Sequence, residues 1–285
     1  MATPLALPAD LSATVSRALA EDVGSGDVTA RLVAESTTSR ARVLAREPAI
    51  LCGCAWVDEV FRQLDPTVRV AWQARDGDAV AENQVLCEVT GPARAVLTGE
   101  RTALNFLQAL SGTATETGHY VEAVAGTGTR IVDTRKTLPG LRTAQKYAVR
   151  VGGGDNHRIG LYDGILIKEN HVAAAGGIRA AIAQARALQA GVPLMTEAEN
   201  LDEARAALAE DVDLLLVDDF TEGALREAVK LTREHRARGG RTLIEYSGGA
   251  TLARVRSIAE CGVDRISIGS LTKHVRAIDL SMRFV

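Results

Sequence analysis

From about residue 128 onward, short apolar runs alternate with Ala-rich amphipathic stretches, and this alternation limits the fold more than any other feature of the chain. The runs are Ile131-Val132, Ile165-Leu166-Ile167, Pro193-Leu194-Met195, Leu214-Leu215-Leu216-Val217, Thr242-Leu243-Ile244 and Arg265-Ile266-Ser267-Ile268. Between them, apolar spacing fits helices over residues 141–151, 176–190, 200–210, 222–237 and 251–261. Strands that are apolar on both faces and separated by helices belong in a parallel sheet covered by those helices. Six such repeats favour a barrel over an open sheet, and in a barrel the chemistry gathers at the C-terminal strand ends.

The preceding residues have another texture. Residues 11–22 fit a helix with Leu11, Val15, Ala18 and Leu19 on one face, broken by Gly24-Ser25-Gly26-Asp27. Residues 40–90 are β-rich, with strand candidates at 42–45, 49–51, 68–71 and 85–89, a turn at Arg75-Asp76-Gly77-Asp78 and a helix over 56–64. After the break at Gly91-Pro92, residues 95–125 read as helical with an interruption at Ser111-Gly112. Hydrophobic residues make up 46% and charged residues 24%, with a net charge of -3, which excludes wholesale disorder and a nucleic-acid coat. The four cysteines, Cys52, Cys54, Cys87 and Cys261, cannot form a disulfide framework and read as reduced thiols of a cytoplasmic protein. No apolar run approaches the ~20 residues that span a bilayer. Met1 to Asp10 lacks a basic segment followed by an apolar core, so no signal peptide is expected.

Every apolar run ends in polar or charged residues: Asp133-Thr134-Arg135-Lys136, Lys168-Glu169-Asn170-His171, Glu197, Asp218-Asp219, Glu245-Tyr246-Ser247-Gly248-Gly249 and Gly269-Ser270. Arg and Lys clamp carboxylates or phosphates, Arg through a planar fork. Acidic ends can hold a hard cation such as Mg²⁺ or accept hydrogen bonds from sugar hydroxyls. The Gly/Ser-rich late ends suit a phosphate, because glycine lets backbone N–H groups approach it closely. Either glycine pair alone would equally serve as a tight turn. Together the ends describe an anionic substrate beside a phosphorylated sugar with a metal. Gly152-Gly153-Gly154 before Asp155-Asn156-His157-Arg158 lets the chain bend and turn both final side chains into a pocket, although a helix C-cap loop would use the same glycines. No second His or Cys lies at ligand spacing from His157, which favours a carboxylate donor over a metal ligand. Leu214 to Gly223 looks like the diphosphate-sugar motif of Rossmann-like phosphoribosyltransferases. Glu222, however, stands where that loop needs a small, phosphate-friendly residue, so that fold is rejected while the substrate class is kept.

Several strings then converge on one family. Gly99 to Phe106, Asp133 to Arg142, Lys146-Tyr147-Ala148-Val149, Gly152 to Arg158, Ile167 to His171 and Leu271 to Phe284 resemble quinolinate phosphoribosyltransferase, over essentially the whole chain. The resemblance implies an α/β protein of the type II phosphoribosyltransferase kind. Its parts would be an N-terminal α/β sandwich with linking helices (1–127), an incomplete, seven-stranded α/β barrel (128–270), and a C-terminal segment (271–285) packing back on the first domain. It implies a homodimer with shared active sites and leaves open whether dimers pair into hexamers. Arg101 would reach the neighbour's quinolinate, while Thr134, Arg135, His157, Arg158 and Lys168 hold its carboxylates. Lys136, Glu197 and Asp218 would be catalytic and hold phosphoribosyl diphosphate, with Mg²⁺ on Glu197 and Asp218 directly or through water. Ser247, Gly248, Gly249, Gly269 and Ser270 would cradle the 5′-phosphate. Three positions depart from the family pattern: Met195 stands where a carboxylate is usual, Asp219 where Asn is usual, and Tyr246 where a small residue is usual.

The implied reaction joins the pyridine nitrogen of quinolinate to C1′ of phosphoribosyl diphosphate, releases diphosphate and loses CO₂, giving nicotinate mononucleotide for de novo NAD biosynthesis. No nucleophilic side chain is needed, in keeping with the lack of a Ser-His-Asp or Cys-His pattern. The competing readings are a molybdenum-associated homologue of the same fold, a phosphoribosyltransferase for another aromatic acid such as nicotinate, and a non-catalytic barrel that binds phosphate sugars or oxyanions. The facing Arg/Lys sets favour a diacid, because a monoacid would leave buried cations unpaired at ~1–3 kcal/mol or more. No nucleic-acid or membrane partner is expected.

Overall fold

The structure, a computed structural model, describes residues 5–285; Met1–Pro4, where the leader-free reading and the expected first domain begin, lie outside the described residues. Strands β1 (Thr38–Ala45), β2 (Ala49–Ile50), β3 (Arg69–Trp72), β4 (Ala79–Val80) and β5 (Val85–Pro92) come first. Strands β6 (Arg130–Val132), β7 (Ile165–Ile167), β8 (Leu194–Ala198), β9 (Leu214–Asp218), β10 (Leu243–Ser247) and β11 (Arg265–Ser267) follow, and β12 (Leu280–Phe284) is last.

Two compact units form, and neither is continuous in sequence. The first takes residues up to Gly118, Thr137–Gly153 and Ser270–Val285; the second takes His119–Lys136 and Gly154–Gly269. Residues 137–153 therefore belong with the first unit and not with the barrel, contrary to a simple division at residue 128. The reason is packing: the helix Arg142–Val151 buries Ala144 and Ala148 in the first unit's core.

In the first unit, β12, β1, β5 and β3 form an antiparallel sheet in that order, and β2 pairs with β4. Ala41, Val43 and Ala45 alternate inward along β1 and meet Trp56, Val57, Val60 and Phe61 of the helix Cys54–Leu64 in one core. The expected turn at residues 75–78 does more than reverse the chain. Asp76 Oδ1 accepts hydrogen bonds from the backbone N–H groups of Gly53 (2.9 Å) and Cys54 (3.0 Å), holding a carboxylate at that helix's N-terminus. The helix Ala93–Ala123 runs 31 residues without the break expected at Ser111-Gly112. Gly112 instead permits close approach, since a Cβ there would lie 2.2 Å from the carbonyl oxygen of Arg276.

In the second unit, the parallel sheet has the order β6-β11-β10-β9-β8-β7. The expected seven-stranded count is thus corrected to six. Where the seventh strand would stand, Asp155 makes only an isolated parallel bridge to Val132, and the backbone N–H of His157, two residues on, goes to the Asp133 side chain at 2.9 Å and not to a strand carbonyl. Helices alternate with these strands as the apolar spacing requires: Leu225, Ala228, Val229 and Thr232 form the buried stripe of Glu222–Ala237. Glu222 is the first residue of that helix, capped by Thr221, whose hydroxyl accepts from Ala224 N. The helix expected over 176–190 starts at Ile178, after Gly176 and Gly177 in positive-φ conformations (83° and 137°), and a further helix occupies Glu169–Ala175. No helix among the described residues is long and apolar enough to cross a membrane.

Candidate active site

Register and side-chain alternation sort the interior of the second unit into layers. Met195 aligns with Leu214, and Leu214 with Leu243, so these three face inward on adjacent strands. Met195, Leu214 and Leu216 pack together with Leu166 and Leu243 as an apolar plug. Two residues further along each strand, Glu197 aligns with Leu216 and Leu216 with Glu245; two further again, Asp218 aligns with Ser247. Apolar residues thus close the base, and the polar chemistry begins one layer above it.

Thr134, Arg135, Lys136, His157, Arg158, Lys168, Glu197 and Ser247 line one cleft of about 170 Å³, together with Leu166, Leu216, Glu245 and Ser267. Asp133, fully buried, fixes one wall. Its Oδ1 accepts from the backbone N–H of His157 (2.9 Å) and its Oδ2 from Asn156 Nδ2 (2.6 Å). The backbone N–H groups of Asp133 and Asp155 bond to the carbonyls of Asp155 and Ile131 (3.1 and 2.8 Å), so the glycine-led loop is fastened to β6. The Arg158 N–H donates to His157 Nδ1 (2.7 Å), which leaves Nε2 to carry the proton of the neutral ring. Arg158 Nη1 donates to Gly164 O (2.8 Å). Burial first, and then the like charge of Arg135, pulls the Arg158 guanidinium below its ordinary range. A second guanidinium close enough to disfavour the charge of Arg158 makes a site suited to a compact dianion.

Lys168 Nζ lies 2.6 Å from Glu197 Oε2, linking a residue expected on the carboxylate side to one expected on the sugar–metal side. The Lys136 N–H donates to Thr134 Oγ1 (3.0 Å). Gly269 keeps this corner open, since a Cβ there would lie 2.9 Å from Lys136 Cδ. Gly248 and Gly249 take positive φ values of 92° and 54° beside Asp218 and Asp219. A Cβ on Gly248 would meet Asp219 N at 2.9 Å and Asp218 Oδ1 at 3.0 Å. Arg101 and Ser270 belong to the first unit: Arg101 is an exposed residue of the helix Ala93–Ala123, 3.9 Å from Glu100, and Ser270 opens the short helix Ser270–Lys273.

Among the described residues, no group of three or more His, Cys, Asp and Glu is placed to hold a metal ion. The available donors are the carboxylates of Glu197 and Asp218. They suit a Mg²⁺ ion that keeps several waters and is held mainly by a substrate's phosphates, and not a closed protein cage.

Sequence reading gave no role to Asp133, Asn156, Glu245 or Ser267. Glu245 was legible in principle, because it sits two residues before Ser247 on one strand and so shares its face. Inside the barrel it is fully buried, and neither carboxyl oxygen has a hydrogen-bond partner. Its Oε1 lies 3.8 Å from His157 Nε2. Burial pushes its carboxyl up to about 7, Asp133 adding to the rise while the Ser267 hydroxyl and Arg265 oppose it.

Comparison with known proteins agrees with this architecture. The model of the quinolinate phosphoribosyl transferase C-terminal domain matches residues 113–283, and that of the N-terminal domain matches residues 27–111. A probable nicotinate-nucleotide pyrophosphorylase [carboxylating] of Bacillus subtilis is 41% identical over 263 residues, covering 92% of this chain and 89% of the relative. The nicotinate-nucleotide pyrophosphorylase [carboxylating] of Mycobacterium leprae is 42% identical over 276 residues, covering 94% and 95%. The solved structure of the nicotinate-nucleotide pyrophosphorylase from Francisella tularensis superposes with a TM-score of 0.90 at 42% identity over 98% of each chain. A barrel with a cationic, part-buried cleft, family models matched over most of the chain, and relatives aligned almost end to end all agree: the chain belongs to the quinolinate phosphoribosyltransferase family.

Proposed function

We infer that this protein transfers the phosphoribosyl group of phosphoribosyl diphosphate to quinolinate and decarboxylates the product, giving nicotinate mononucleotide, diphosphate and CO₂ for de novo NAD biosynthesis. It is a pentosyltransferase. The observation that carries this reading is the pairing of Arg135 and Arg158 in one part-buried cleft with His157, Lys168 and the Ser247 loop. A pyridine with adjacent carboxylates supplies the two negative charges such a pair needs, and family membership supports that reading over the molybdenum-associated and non-catalytic ones.

The geometry supports the following division of work. Arg135, Arg158, His157, Thr134 and Lys168 bind the two carboxylates and hold the ring nitrogen toward the sugar, so that attack on C1′ becomes a positioned, in-place event. Arg101 completes this site from a partner subunit in a homodimer. Gly248, Gly249, Gly269, Ser247 and Ser270 bind the 5′-phosphate, with the glycines bringing backbone N–H groups within reach. Lys136, Glu197 and Asp218 hold the ribose and its diphosphate. Glu197 and Asp218 would hold Mg²⁺ directly or through water, and the ion would supply charge neutralisation for the diphosphate. Lys168, paired with Glu197 at 2.6 Å, couples occupancy of the two halves. The four free cysteines of the protein support a reducing, cytoplasmic setting.

The test is direct. The protein is incubated with phosphoribosyl diphosphate, Mg²⁺ and either quinolinate or nicotinate, and nicotinate mononucleotide, diphosphate and CO₂ are measured. Product from quinolinate with equal CO₂ and diphosphate supports the reading; product from nicotinate alone overturns it.

A further inference from the structure

The reaction leaves one chemical need that the substrate-binding residues do not meet. When the 2-carboxylate departs, the electron pair of the broken bond stays on C2, and C2 then needs a proton. Among the cleft's groups, the arginines do not give up theirs. Lys168 is committed to Glu197 at 2.6 Å, and Lys136 lies on the Gly269 side of the cleft. His157 accepts at Nδ1 from the Arg158 N–H, so its neutral ring keeps its one proton on Nε2, turned toward Glu245.

Glu245 is different. It lines the same cleft from the central strand β10, level with Leu216 at the top of the apolar plug. It is fully buried, and neither carboxyl oxygen accepts a hydrogen bond, since the nearby Ser267 hydroxyl donates to Tyr246 O at 3.3 Å. An ionised carboxylate in that state would be costly, so the acid form is the one the site accommodates. Its surroundings also support the anion once a proton has left: His157 Nε2 lies 3.8 Å away, Arg265 aligns with it on the neighbouring strand β11, and Ser267 lines the same cleft.

We propose that Glu245 is the proton donor of the decarboxylation step. This rests on the transferase reading above and adds a residue to it. The bond between C2 and its carboxylate carbon breaks, CO₂ leaves, the electron pair remains on C2 beside the positively charged ring nitrogen, and the Glu245 carboxyl proton passes to C2. Glu245 is left as a carboxylate facing His157 and regains a proton from solvent before the next turnover.

The experiment uses the full-length protein and follows diphosphate, CO₂ and nucleotide products by rapid quench. Glu245→Gln keeps size and polarity but has no acidic proton. It is expected to bind quinolinate as the unsubstituted protein does and to release diphosphate. CO₂ release should fall by ~10²-fold or more, and quinolinate mononucleotide, heavier than nicotinate mononucleotide by one CO₂, should accumulate. Glu245→Asp, which keeps an acid but shortens it, should restore CO₂ release partly; it also serves if the Gln variant does not fold. Equal CO₂ and diphosphate at unchanged rates in Glu245→Gln would overturn the proposal. So would equal slowing of both products in Glu245→Asp, or loss of quinolinate binding in either folded variant, since each marks a structural role. Failure of the transferase reading itself looks different: the unsubstituted protein would then release no diphosphate from these substrates.

Discussion

Replacing Glu245 by Gln has a consequence for stability that can be worked out from its burial alone. The carboxyl is fully buried and its pKa stands at about 7, against 4.5 for an exposed glutamate. Below pH 4.5 both folded and unfolded chains are protonated and the group contributes nothing. Between 4.5 and 7 the unfolded chain ionises while the folded one keeps its proton, so stability falls as pH rises. Above 7 the loss is complete. At 1.36 kcal/mol per pH unit the full cost is about 3 kcal/mol, of which about 2–3 kcal/mol develops between pH 5 and 8. A Gln side chain does not titrate, so Glu245→Gln should gain on the unsubstituted protein by that amount across the interval, whatever the offset at pH 5. Other titrating groups cancel in the difference. Urea unfolding should be followed by far-ultraviolet circular dichroism, because both tryptophans, Trp56 and Trp72, lie in the first unit and report on the wrong place. A stability difference constant within ~0.5 kcal/mol from pH 5 to 8 would refute the argument, showing that Glu245 is ionised or solvated in the folded protein.

Four further substitutions test other parts of the site and its support. Asp133→Asn sets an amide against the N–H groups of His157 and Asn156; it should cost about 1–3 kcal/mol in unfolding experiments and weaken quinolinate binding by calorimetry. Gly248→Ala strains a residue at φ 92° and drives its Cβ to 2.9 Å from Asp219 N, so KM for phosphoribosyl diphosphate should rise at least tenfold (~1.4 kcal/mol) with quinolinate affinity little changed. Asp218→Asn should abolish diphosphate-dependent turnover in a Mg²⁺ titration while Asp219→Asn is neutral or better; equal damage would mean both acids act in the site. Mixing inactive Arg101→Ala with inactive Lys136→Ala subunits should restore part of the activity if each site draws Arg101 from a partner, and no recovery despite subunit exchange would remove that role.

Legibility in the sequence followed the physics of each signal. Apolar runs flanked by amphipathic stretches located β6 to β11 to within a few residues, because a strand buried on both faces has no polar alternation to blur it. The helix Glu222–Ala237 has the expected bounds, being set by a Thr cap in front and a full buried stripe within. Short elements escaped. β4 has two residues, and β12 lies beyond the barrel with only its pairing to β1 to define it. The glycine at 112 was misread as punctuation because sequence cannot distinguish a glycine that breaks a helix from one that lets another segment touch it. The division into units failed locally for a related reason: the helix Arg142–Val151 follows a barrel strand in sequence but packs elsewhere. In the site, strand-end charge was visible and produced the cleft's cations and acids. Asp133 and Glu245 were passed over because their importance comes from burial and from what they face, which composition does not show.

Two of the three departures from the family pattern lie outside the cleft, and the third, Asp219, stands beside the Gly248-Gly249 loop. Met195 belongs to the apolar layer beneath the cleft, packed against Leu214 and Leu216, so the missing carboxylate leaves the base sealed and leaves Glu197, one layer up, in the cleft wall. Tyr246 lies between Glu245 and Ser247 on β10 and therefore points to the opposite face, where it is buried. The extra size is taken up behind the strand and not in the ligand space. Asp219 has φ 53°, a left-handed conformation that side-chain-bearing residues other than Asn and Asp rarely adopt, and its N–H donates to Ser247 O at 3.0 Å. It is exposed, one residue beyond the end of β9. The backbone at this corner holds the Gly248 loop, and Asp meets that demand almost as well as Asn. Selection by the backbone explains why an acid is tolerated beside Asp218: what the position must supply is a conformation, and the carboxylate that replaces the amide is exposed, with its Oδ1 3.7 Å from where a Cβ on Gly249 would stand.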